Sequence, residues 1–241
     1  MKQQLKSLFE KLTGTKIYRI PPFGTDVVAD IANKFKGYQF KLIFDVGANI
    51  GQSAAEFRKK LPQTPIHCFE PSASTFQQLQ QNLSGYNNIY FHNLALGGET
   101  KVMKMVHGES SDKNRLVRTD EIATAEADSE EVQMTTLTEF CRQHNIQNIS
   151  YLKIDTEGFD LEVLKSGDEM LRANAFDFVE VEVGMNPTNK LHVPVEEVKK
   201  YMEERKYYVF GIYEQVHDWV TQRQFLRRTN TVFVSGKVAG F

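Results

Sequence analysis

The stretch FDVGANIGQ, Phe44–Gln52, decides how the rest of the chain is interpreted. A short apolar run carries an acid, Asp45, near its end and is followed by two glycines four positions apart, Gly47 and Gly51. Glycine adopts turn conformations that other residues avoid and lets the backbone approach a ligand closely. The pattern therefore predicts a strand, a close-fitting loop and then a helix. It differs from the dinucleotide-binding fingerprint GxGxxG, which has three glycines.

From residue 41 onward, short β-rich apolar runs alternate with amphipathic stretches. This is the pattern of βα units that build a mostly parallel sheet, so we expect an α/β fold. Thr136 followed by Glu139 predicts the start of a further helix. Near the carboxyl terminus, two runs joined by a loop that contains His217 predict an antiparallel pair of strands. The other predicted strands are Leu42–Val46, Ile66–Glu70, Ile89–Leu94, Tyr151–Asp155 and Phe178–Val183.

Length and composition favour one domain. The chain has 241 residues, of which 41% are apolar and 25% charged, which is enough for one substantial core. We expect a single domain over residues 1–241, with a helical extension at residues 1–40. Residues 97–131 break the rhythm with GG, HGESSDKN and the acid-rich TDEIATAEADSEE. We expect an insertion there, either a solvated loop or a lid over the ligand.

Charge and cysteine content exclude several classes of protein. A net charge of −2 and a pI near 6.3 provide no basic field for binding nucleic acid. Cys68 and Cys141 lack CxxC spacing, which argues against a disulfide framework and against a zinc site. The amino terminus lacks the apolar run of a signal peptide, and no segment approaches the roughly 20 apolar residues of a membrane span. We therefore expect a cytoplasmic protein without a nucleic-acid partner.

Two acids at strand ends point to the cofactor. In open α/β sheets, ligands bind beyond the carboxyl ends of the strands. Glu70 lies 25 residues after Asp45, at the end of the second predicted strand, where a carboxylate can accept both hydroxyl hydrogens of a ribose. A pyrophosphate would favour GxGxxG, whereas Asp45 before the glycines suits an ammonium group. These features predict S-adenosylmethionine rather than NAD.

Four segments follow one another in order: FDVGANIGQ, CFEPS with FQQLQQNL, HNLALG, and YLKIDTEGFDLEVLKSG. Together they resemble the successive signatures of the FkbM-type S-adenosylmethionine-dependent methyltransferase family, over about residues 40 to 235. The resemblance implies a Rossmann-like seven-stranded methyltransferase sheet, mostly parallel with one antiparallel strand and with helices on both faces. It also implies methyl transfer to a hydroxyl group, often on a sugar or another small molecule.

The resemblance also assigns residues to the cofactor. It places Glu70 at the ribose, and Asn93 to Ala95 near the adenine. The positions that it gives to the methionine end are Asp45, Gly47, Asn49 and Gly51.

Methylation of a hydroxyl group needs a base, because an alcohol has a pKa of roughly 16. The segment KIDTEG supplies Asp155 and Glu157, and the next predicted strand supplies Glu180 and Glu182. Alternation places Glu180 and Glu182 on one face, and Glu182, nearer the carboxyl end, is expected to face the ligand. Asp155 is the first candidate for the base and Glu157 the second. Lys153 is either their structural partner or an active-site residue.

Several further possibilities stay open at this point. Ser110, Ser111 and His217 are candidates for binding the acceptor, which is a small molecule or a glycan. A divalent ion held by Asp155, Glu182 and a histidine is conceivable, but no ligand motif supports it, so we expect no metal. Paired glutamates can also cradle a guanidinium, as in a protein or peptide methyltransferase. The last alternative is a non-catalytic scaffold that binds S-adenosylmethionine.

Overall fold

The computed structural model describes residues 2–16, 18, 21–106, 115–116, 129–220 and 222–241. The chain divides into two units, residues 1–38 and 39–241. The first unit contains α1 (Lys2–Thr13) and α2 (Val27–Lys34). Asp26 caps α2, because its side chain accepts a hydrogen bond from the backbone N–H of Ala29 at 3.1 Å. Within the described ranges, no helix combines the length and apolar character that crossing a membrane requires.

Strands of the second unit belong to a larger and a smaller sheet. In chain order the described strands are β1 (Ile43–Val46), β2 (Ile66–Phe69), β3 (Ile89–His92), β4 (Ala95–Leu96), β5 (Lys101–Val106), β6 (Arg115–Leu116), β7 (Ser129–Thr135), β8 (Ile149–Ile154), β9 (Phe176–Gly184), β10 (Tyr207–Asp218) and β11 (Arg223–Ser235).

The larger sheet has the strand order β10-β11-β9-β8-β1-β2-β3. Strands β1, β2, β3, β8 and β9 pair in parallel, whereas β11 is antiparallel to both β9 and β10. One strand thus runs against the other six, and the expected fold class is confirmed. The chain builds from β1 through β2 to β3 and then restarts at β8 on the other side of β1. This reversal opens a crevice at the carboxyl end of β1.

Helices pack on both faces of the larger sheet. Phe44 and Val46 belong to the core that the sheet shares with helices in residues 137–203. Tyr151 lies on the opposite face, where its ring meets the ring of Phe57, in the helix of residues 52–60, at 5.3 Å between centroids. The described helices of this unit are α3 (Gln52–Lys60), α4 (Ala73–Leu83), α5 (Leu137–Gln143), α6 (Asp160–Ser166), α7 (Asp168–Arg172), α8 (Val195–Glu203) and α9 (Gly236–Ala239).

The smaller sheet has the order β4-β7-β5-β6 and takes in part of the segment expected to be an insertion. Its apolar side chains, among them Met103, Met105 and Met134, pack against Phe159, which follows β8. Of residues 97–131, the ranges 107–114 and 117–128 lie outside the described residues. The candidate acceptor residues Ser110 and Ser111 fall in that part.

The carboxyl-terminal strands pair in an antiparallel manner, as predicted, but their hairpin is longer than the sequence indicated. His217 lies on β10 opposite Leu226, so the expectation that it lies in the connecting loop is wrong. Register irregularities between Tyr213 and Asp218 explain the error, because bulges interrupt the alternation of apolar and polar residues while the ladder continues.

Two histidines on neighbouring strands, His67 of β2 and His92 of β3, form a hydrogen bond of 3.0 Å between their ring nitrogens. Their rings stack with centroids 5.0 Å apart. Burial lowers the pKa of each to about 4, and the charges of neighbouring histidines contribute. Both imidazoles are therefore neutral in the folded protein at neutral pH.

We predict that the contribution of His67 and His92 to the free energy of unfolding decreases as the pH falls from about 6.5 to about 4. The unfolded imidazoles bind protons near pH 6.5, whereas the folded pair stays neutral to a lower pH, so acid favours the unfolded chain. Urea unfolding between these pH values measures the effect. His67→Gln should lose part of the pH dependence, and His217→Gln, an exposed control, should keep it. An unchanged slope in His67→Gln would contradict the low pKa.

Candidate active site

A cavity of about 310 Å³ opens at the carboxyl ends of the parallel strands. Its lining comes from the loops after β1, β2, β3 and β8 and from the end of β9, while Met105 and Leu116 of the smaller sheet add apolar surface. The volume lies within the range of small-molecule sites, about 300 to 1,000 Å³. The ionisable residues that line the cavity are Glu56, Glu70, Lys153, Asp155, Glu157, Glu182, Glu214 and Arg228.

The two glycines of the first loop have different roles. Gly47 has φ +81°, and an added Cβ would lie 1.9 Å from the carbonyl oxygen of Asp155. A side chain at Gly47 would therefore push β1 and β8 apart. Gly51 lies against α4, because a Cβ there would meet Leu83 Cδ1 at 2.8 Å. The first glycine thus shapes the cavity, and the second allows close packing of two helices.

Glu70 is fixed at the end of β2 by backbone donors. Its Oε2 accepts a hydrogen bond from the N–H of Asn49 at 3.0 Å, and its Oε1 accepts one from the N–H of Ser72 at 2.9 Å. The Asn93 amide donates to the carbonyl oxygens of Glu70 and Pro71 at 3.0 and 2.8 Å. Burial raises the pKa of Glu70 to about 7, although both backbone donors oppose this. Asn93 therefore holds the backbone that carries Glu70.

A buried lysine lies between two acids. Lys153 Nζ is 2.9 Å from Asp155 Oδ2 and 3.8 Å from Asp45 Oδ1. Burial alone would lower the pKa of Lys153, but the two carboxylates raise it above its ordinary value. Burial likewise would raise the pKa of Asp155, yet the charge and hydrogen bond of Lys153 bring it below the ordinary value. Asp45 shows the reverse balance, because burial raises its pKa more than Lys153 lowers it.

Glu182, Glu157 and His192 form a second charged group at the cavity. His192 Nε2 lies 2.7 Å from Glu182 Oε2 and 3.7 Å from Glu157 Oε2. Arg228 Nη1 makes an ion pair with the other oxygen of Glu182. Burial raises the pKa of Glu157 to about 7, and the charge of Asp155 adds to this effect. Glu157 therefore differs from Glu182 in having no donor at hydrogen-bond distance within the described residues.

The ligand atoms of Glu157, Glu182 and His192 lie within 4.8 Å of one another, a spacing that would admit one metal ion. However, Arg228 already provides a positive charge to Glu182. Glu182 therefore takes part in an ion-pair network, and the absence of a metal ion from this group stays a prediction.

Most of the predicted site residues meet at this cavity. Asp45 lies behind the lining on β1, Asn93 turns its amide to the backbone after β2, and His217 is exposed on β10. Ser110 and Ser111 lie outside the described residues. The predicted residues that line the cavity are Gly47, Asn49, Glu70, Ala95, Asp155, Glu157 and Glu182.

Sequence reasoning missed His192, Asn189 and Arg228. His192 and Asn189 belong to the loop NPTNKLHVP after β9, and Arg228 on β11 pairs with Gly184 at the end of the same strand. Their place in the chain could have indicated them, because a loop that follows the carboxyl end of a central strand reaches the ligand crevice.

Comparison with known proteins agrees with this geometry. A model of the Methyltransferase FkbM domain matches residues 45–209. The chain belongs to the FkbM methyltransferase family. One relative is Methyltransferase 1 of Beauveria bassiana, 27% identical over 186 residues, which cover 70% of this chain and 69% of the relative.

Two further FkbM-related enzymes have shorter matches. Methyltransferase sdnD of Sordaria araneosa is 30% identical over 175 residues, covering 60% of this chain and 66% of the relative. The 2-O-methyltransferase NoeI of Sinorhizobium fredii is 21% identical over 154 residues, covering 58% and 62%. This chain thus matches slightly less than two thirds of the length of these two relatives.

The cofactor of this FkbM methyltransferase is S-adenosylmethionine. The cavity fits such a ligand through a lining atom, because the buried Oδ1 of Asn49 has no hydrogen-bond partner among the described residues. Behind the lining, the carboxylate of Asp45 pairs with Lys153 at 3.8 Å, and its oxygens have no hydrogen bond within the same ranges. Buried acceptors without donors are rare in folded proteins, and an ammonium group would satisfy them.

We predict that Gly47→Ala lowers the free energy of unfolding by about 2 kcal/mol or more. The strain of alanine in a left-handed conformation and the clash of its Cβ with Asp155 both destabilise the folded state. The matched control is Gly85→Ala, since no atom lies within 4 Å of the added Cβ there. That change should stay within about 0.5 kcal/mol of the parent protein. Urea unfolding measures both. Equal stability of the two variants would show that β1 and β8 are not this close.

Proposed function

We propose that this FkbM methyltransferase transfers a methyl group from S-adenosylmethionine to a hydroxyl group of a small molecule or of a sugar or glycan. The observation that carries the proposal is Glu157, a cavity carboxylate whose pKa burial raises to about 7. A hydroxyl acceptor needs such a base, which is ionised near neutral pH and available to take a proton. The relative named as a 2-O-methyltransferase supports this acceptor chemistry.

The free, buried thiols of Cys68 and Cys141 support a reducing compartment, so we keep the cytoplasm as the proposed location.

We assign the methionine end of S-adenosylmethionine to the loop after β1. Asp45 and Asn49 supply buried oxygens that have no hydrogen bond among the described residues, while Gly47 and Gly51 shape the loop. The assignment is supported by the position of this loop at the reversal of strand order, where ligands of such sheets bind.

We assign the ribose to Glu70 and the adenine to the segment from Asn93 to Ala95. Glu70 lines the cavity and is held in place by two backbone donors. Leu94 and Leu96 flank Ala95 in the lining and give this side the apolar character that suits a purine ring.

We predict that Glu70→Gln weakens the binding of S-adenosylhomocysteine about 10-fold or more, since a charged acceptor for the ribose hydroxyls is lost. Isothermal titration calorimetry measures the affinity. The 2′-deoxy analogue should bind the parent protein more weakly and should lose little further affinity in the variant. Equal losses for both ligands would place the ribose elsewhere.

Three carboxylates are candidates for the base, and their contacts favour Glu157. Asp155 is held by Lys153, which lowers its pKa and its capacity to take a proton. Glu182 is held by Arg228 and His192 on its two oxygens. Glu157 keeps a pKa of about 7 and has no donor at hydrogen-bond distance among the described residues.

S-adenosylmethionine, when bound, supplies a methyl group that the sulfonium activates for in-line displacement. The protein then has to align the acceptor and remove its proton. Glu157 takes the hydroxyl proton as its own carboxylate becomes neutral. Because protonated Glu157 cannot do so, turnover should decrease as the pH falls below about 7.

The test is a screen with S-adenosylmethionine that carries a tritiated methyl group. The panel contains monosaccharides, oligosaccharides, hydroxylated macrolactones and arginine-containing peptides. We expect label in a hydroxylated acceptor as a base-stable ether. We predict that Glu157→Gln then lowers kcat about 100-fold or more, whereas Glu169→Gln, on the exposed side of α7, leaves it unchanged.

Two other outcomes would overturn the proposal. Label in the peptides would favour a protein or peptide methyltransferase, although Glu182 already pairs with the guanidinium of Arg228. Binding of S-adenosylhomocysteine without label in any acceptor would favour a non-catalytic scaffold. Full turnover of Glu157→Gln would return the role of base to Asp155.

A further inference from the structure

We propose that His192 is a positioning residue for the base Glu157. Its imidazole lies beside both glutamates of the cavity, with Nε2 2.7 Å from Glu182 Oε2 and 3.7 Å from Glu157 Oε2. The closer contact occupies Glu182 and leaves Glu157 as the member of the pair that can take a proton. The inference rests on the proposed function, in which Glu157 is the base.

Asn189 determines which nitrogen of His192 carries the hydrogen. The side-chain oxygen of Asn189 accepts hydrogen bonds from the backbone N–H groups of Leu191 and His192 at 3.1 and 3.3 Å. Its amide nitrogen faces the carbonyl oxygen of Arg227 at 3.1 Å and His192 Nδ1 at 2.9 Å. Nδ1 also lies 3.2 Å from the side-chain oxygen, but that oxygen already accepts from the two backbone groups and the amide nitrogen is nearer. We therefore assign Nδ1 as the acceptor from the amide nitrogen, which places the hydrogen of a neutral ring on Nε2.

Donors hold both oxygens of Glu182. His192 Nε2 lies 2.7 Å from Oε2, and Arg228 forms an ion pair with Oε1. The Glu182 side chain is 3% exposed, so bulk water does not reach these contacts. Both oxygens of Glu182 are thus occupied by groups of the protein. The distance from the same Nε2 to Glu157 is 3.7 Å, which is too long for a hydrogen bond.

A contact between two loops keeps His192 next to Glu157. Glu157 has φ +50°, and its turn is fixed by Asp160, whose carboxylate accepts hydrogen bonds from the N–H groups of Thr156 and Gly158 at 3.1 and 3.2 Å. A Cβ at Gly158 would lie 2.6 Å from the carbonyl oxygen of Leu191. The loop after β8 therefore packs directly against the loop that carries His192.

The first test determines the tautomer of His192 without any acceptor. Long-range proton–nitrogen correlation spectra of the full-length protein, labelled with nitrogen-15, distinguish a ring protonated on Nε2 from one protonated on Nδ1. The chain has six histidines, and His192→Gln identifies the relevant signals. We expect the Nε2–H form above pH 7. The Nδ1–H form, or a mixture of both, would overturn the inference.

The same spectra test whether a metal ion occupies this group instead. Magnesium chloride and then manganese chloride are added to the labelled protein. We expect no shift or broadening of the His192 ring signals beyond that of the exposed His217. Selective broadening of the His192 signals would show that a ring nitrogen of His192 binds the cation, and this result would overturn the inference.

The second test follows the effect of His192 on Glu157. The charged groups that face Glu157 are Asp155, Asp160, Glu182 and Arg228, and all remain in the variants. Removal of the Nε2 hydrogen takes away a donor near the pair, so the ionised form of Glu157 becomes less stable. Carbon-13 signals of glutamate carboxyl groups report the titration midpoint, with Glu157→Gln for assignment.

We predict that His192→Phe raises the midpoint of Glu157 by about 0.5 pH unit or more. His192→Gln supplies an amide donor and should restore most of the original value, which a purely structural role would not explain. The same midpoint in all three proteins would overturn the inference.

Failure of this inference is distinguishable from failure of the proposed function. If Glu157→Gln keeps its turnover while the Nε2–H form and the shifted midpoint are found, the assignment of the base is wrong and the role of His192 toward the pair stands. If Glu157→Gln loses turnover but His192→Phe changes neither the midpoint nor kcat, the base is confirmed and His192 has no positioning role.

Discussion

The buried ammonium group of Lys153 is the interaction on which the cavity depends. Acids at the ends of adjacent strands would repel one another or become protonated without a buried counter-charge. Lys153 is in register with Asp45 on β1 and with Glu180 on β9, and it makes an ion pair with Asp155. Since the backbone ladder fixes these positions, formation of the sheet itself brings the opposite charges together at the crevice.

Around this charge, the carboxylates of the cavity are differentiated by their donors. Lys153 holds Asp155 and lowers its pKa, whereas His192 and Arg228 contact the two oxygens of Glu182. Burial without such a donor raises the pKa of Glu157 to about 7. The same chemical group thus has different surroundings at each position, and the base that we propose is the carboxylate whose neighbours are held by other groups.

The sequence predicted those parts of the molecule that depend on periodicity and on strand ends. Glu70 and Asp155 follow short apolar strands, and parallel strands bring such residues to one edge, so their meeting was predictable. The position of His217 was not predictable, because bulges in β10 obscure the alternation of apolar and polar residues. Gly51 was given to the cofactor, yet its contact with α4 depends on the tertiary packing of two helices. Asn189 acts through the orientation of one amide, which no residue pattern specifies.

The two halves of the cavity therefore differ in how the chain specifies them. The side assigned to S-adenosylmethionine is built by β1, β2 and the loops that follow them, within a short stretch of sequence. The side assigned to the base requires a contact between Gly158 and Leu191, in loops on either side of β9. Under the proposed assignment, substitutions in the loop after β9 would act on the surroundings of the base and leave the first loop unchanged. A chain can on this basis be recognised as a methyltransferase long before its acceptor is known.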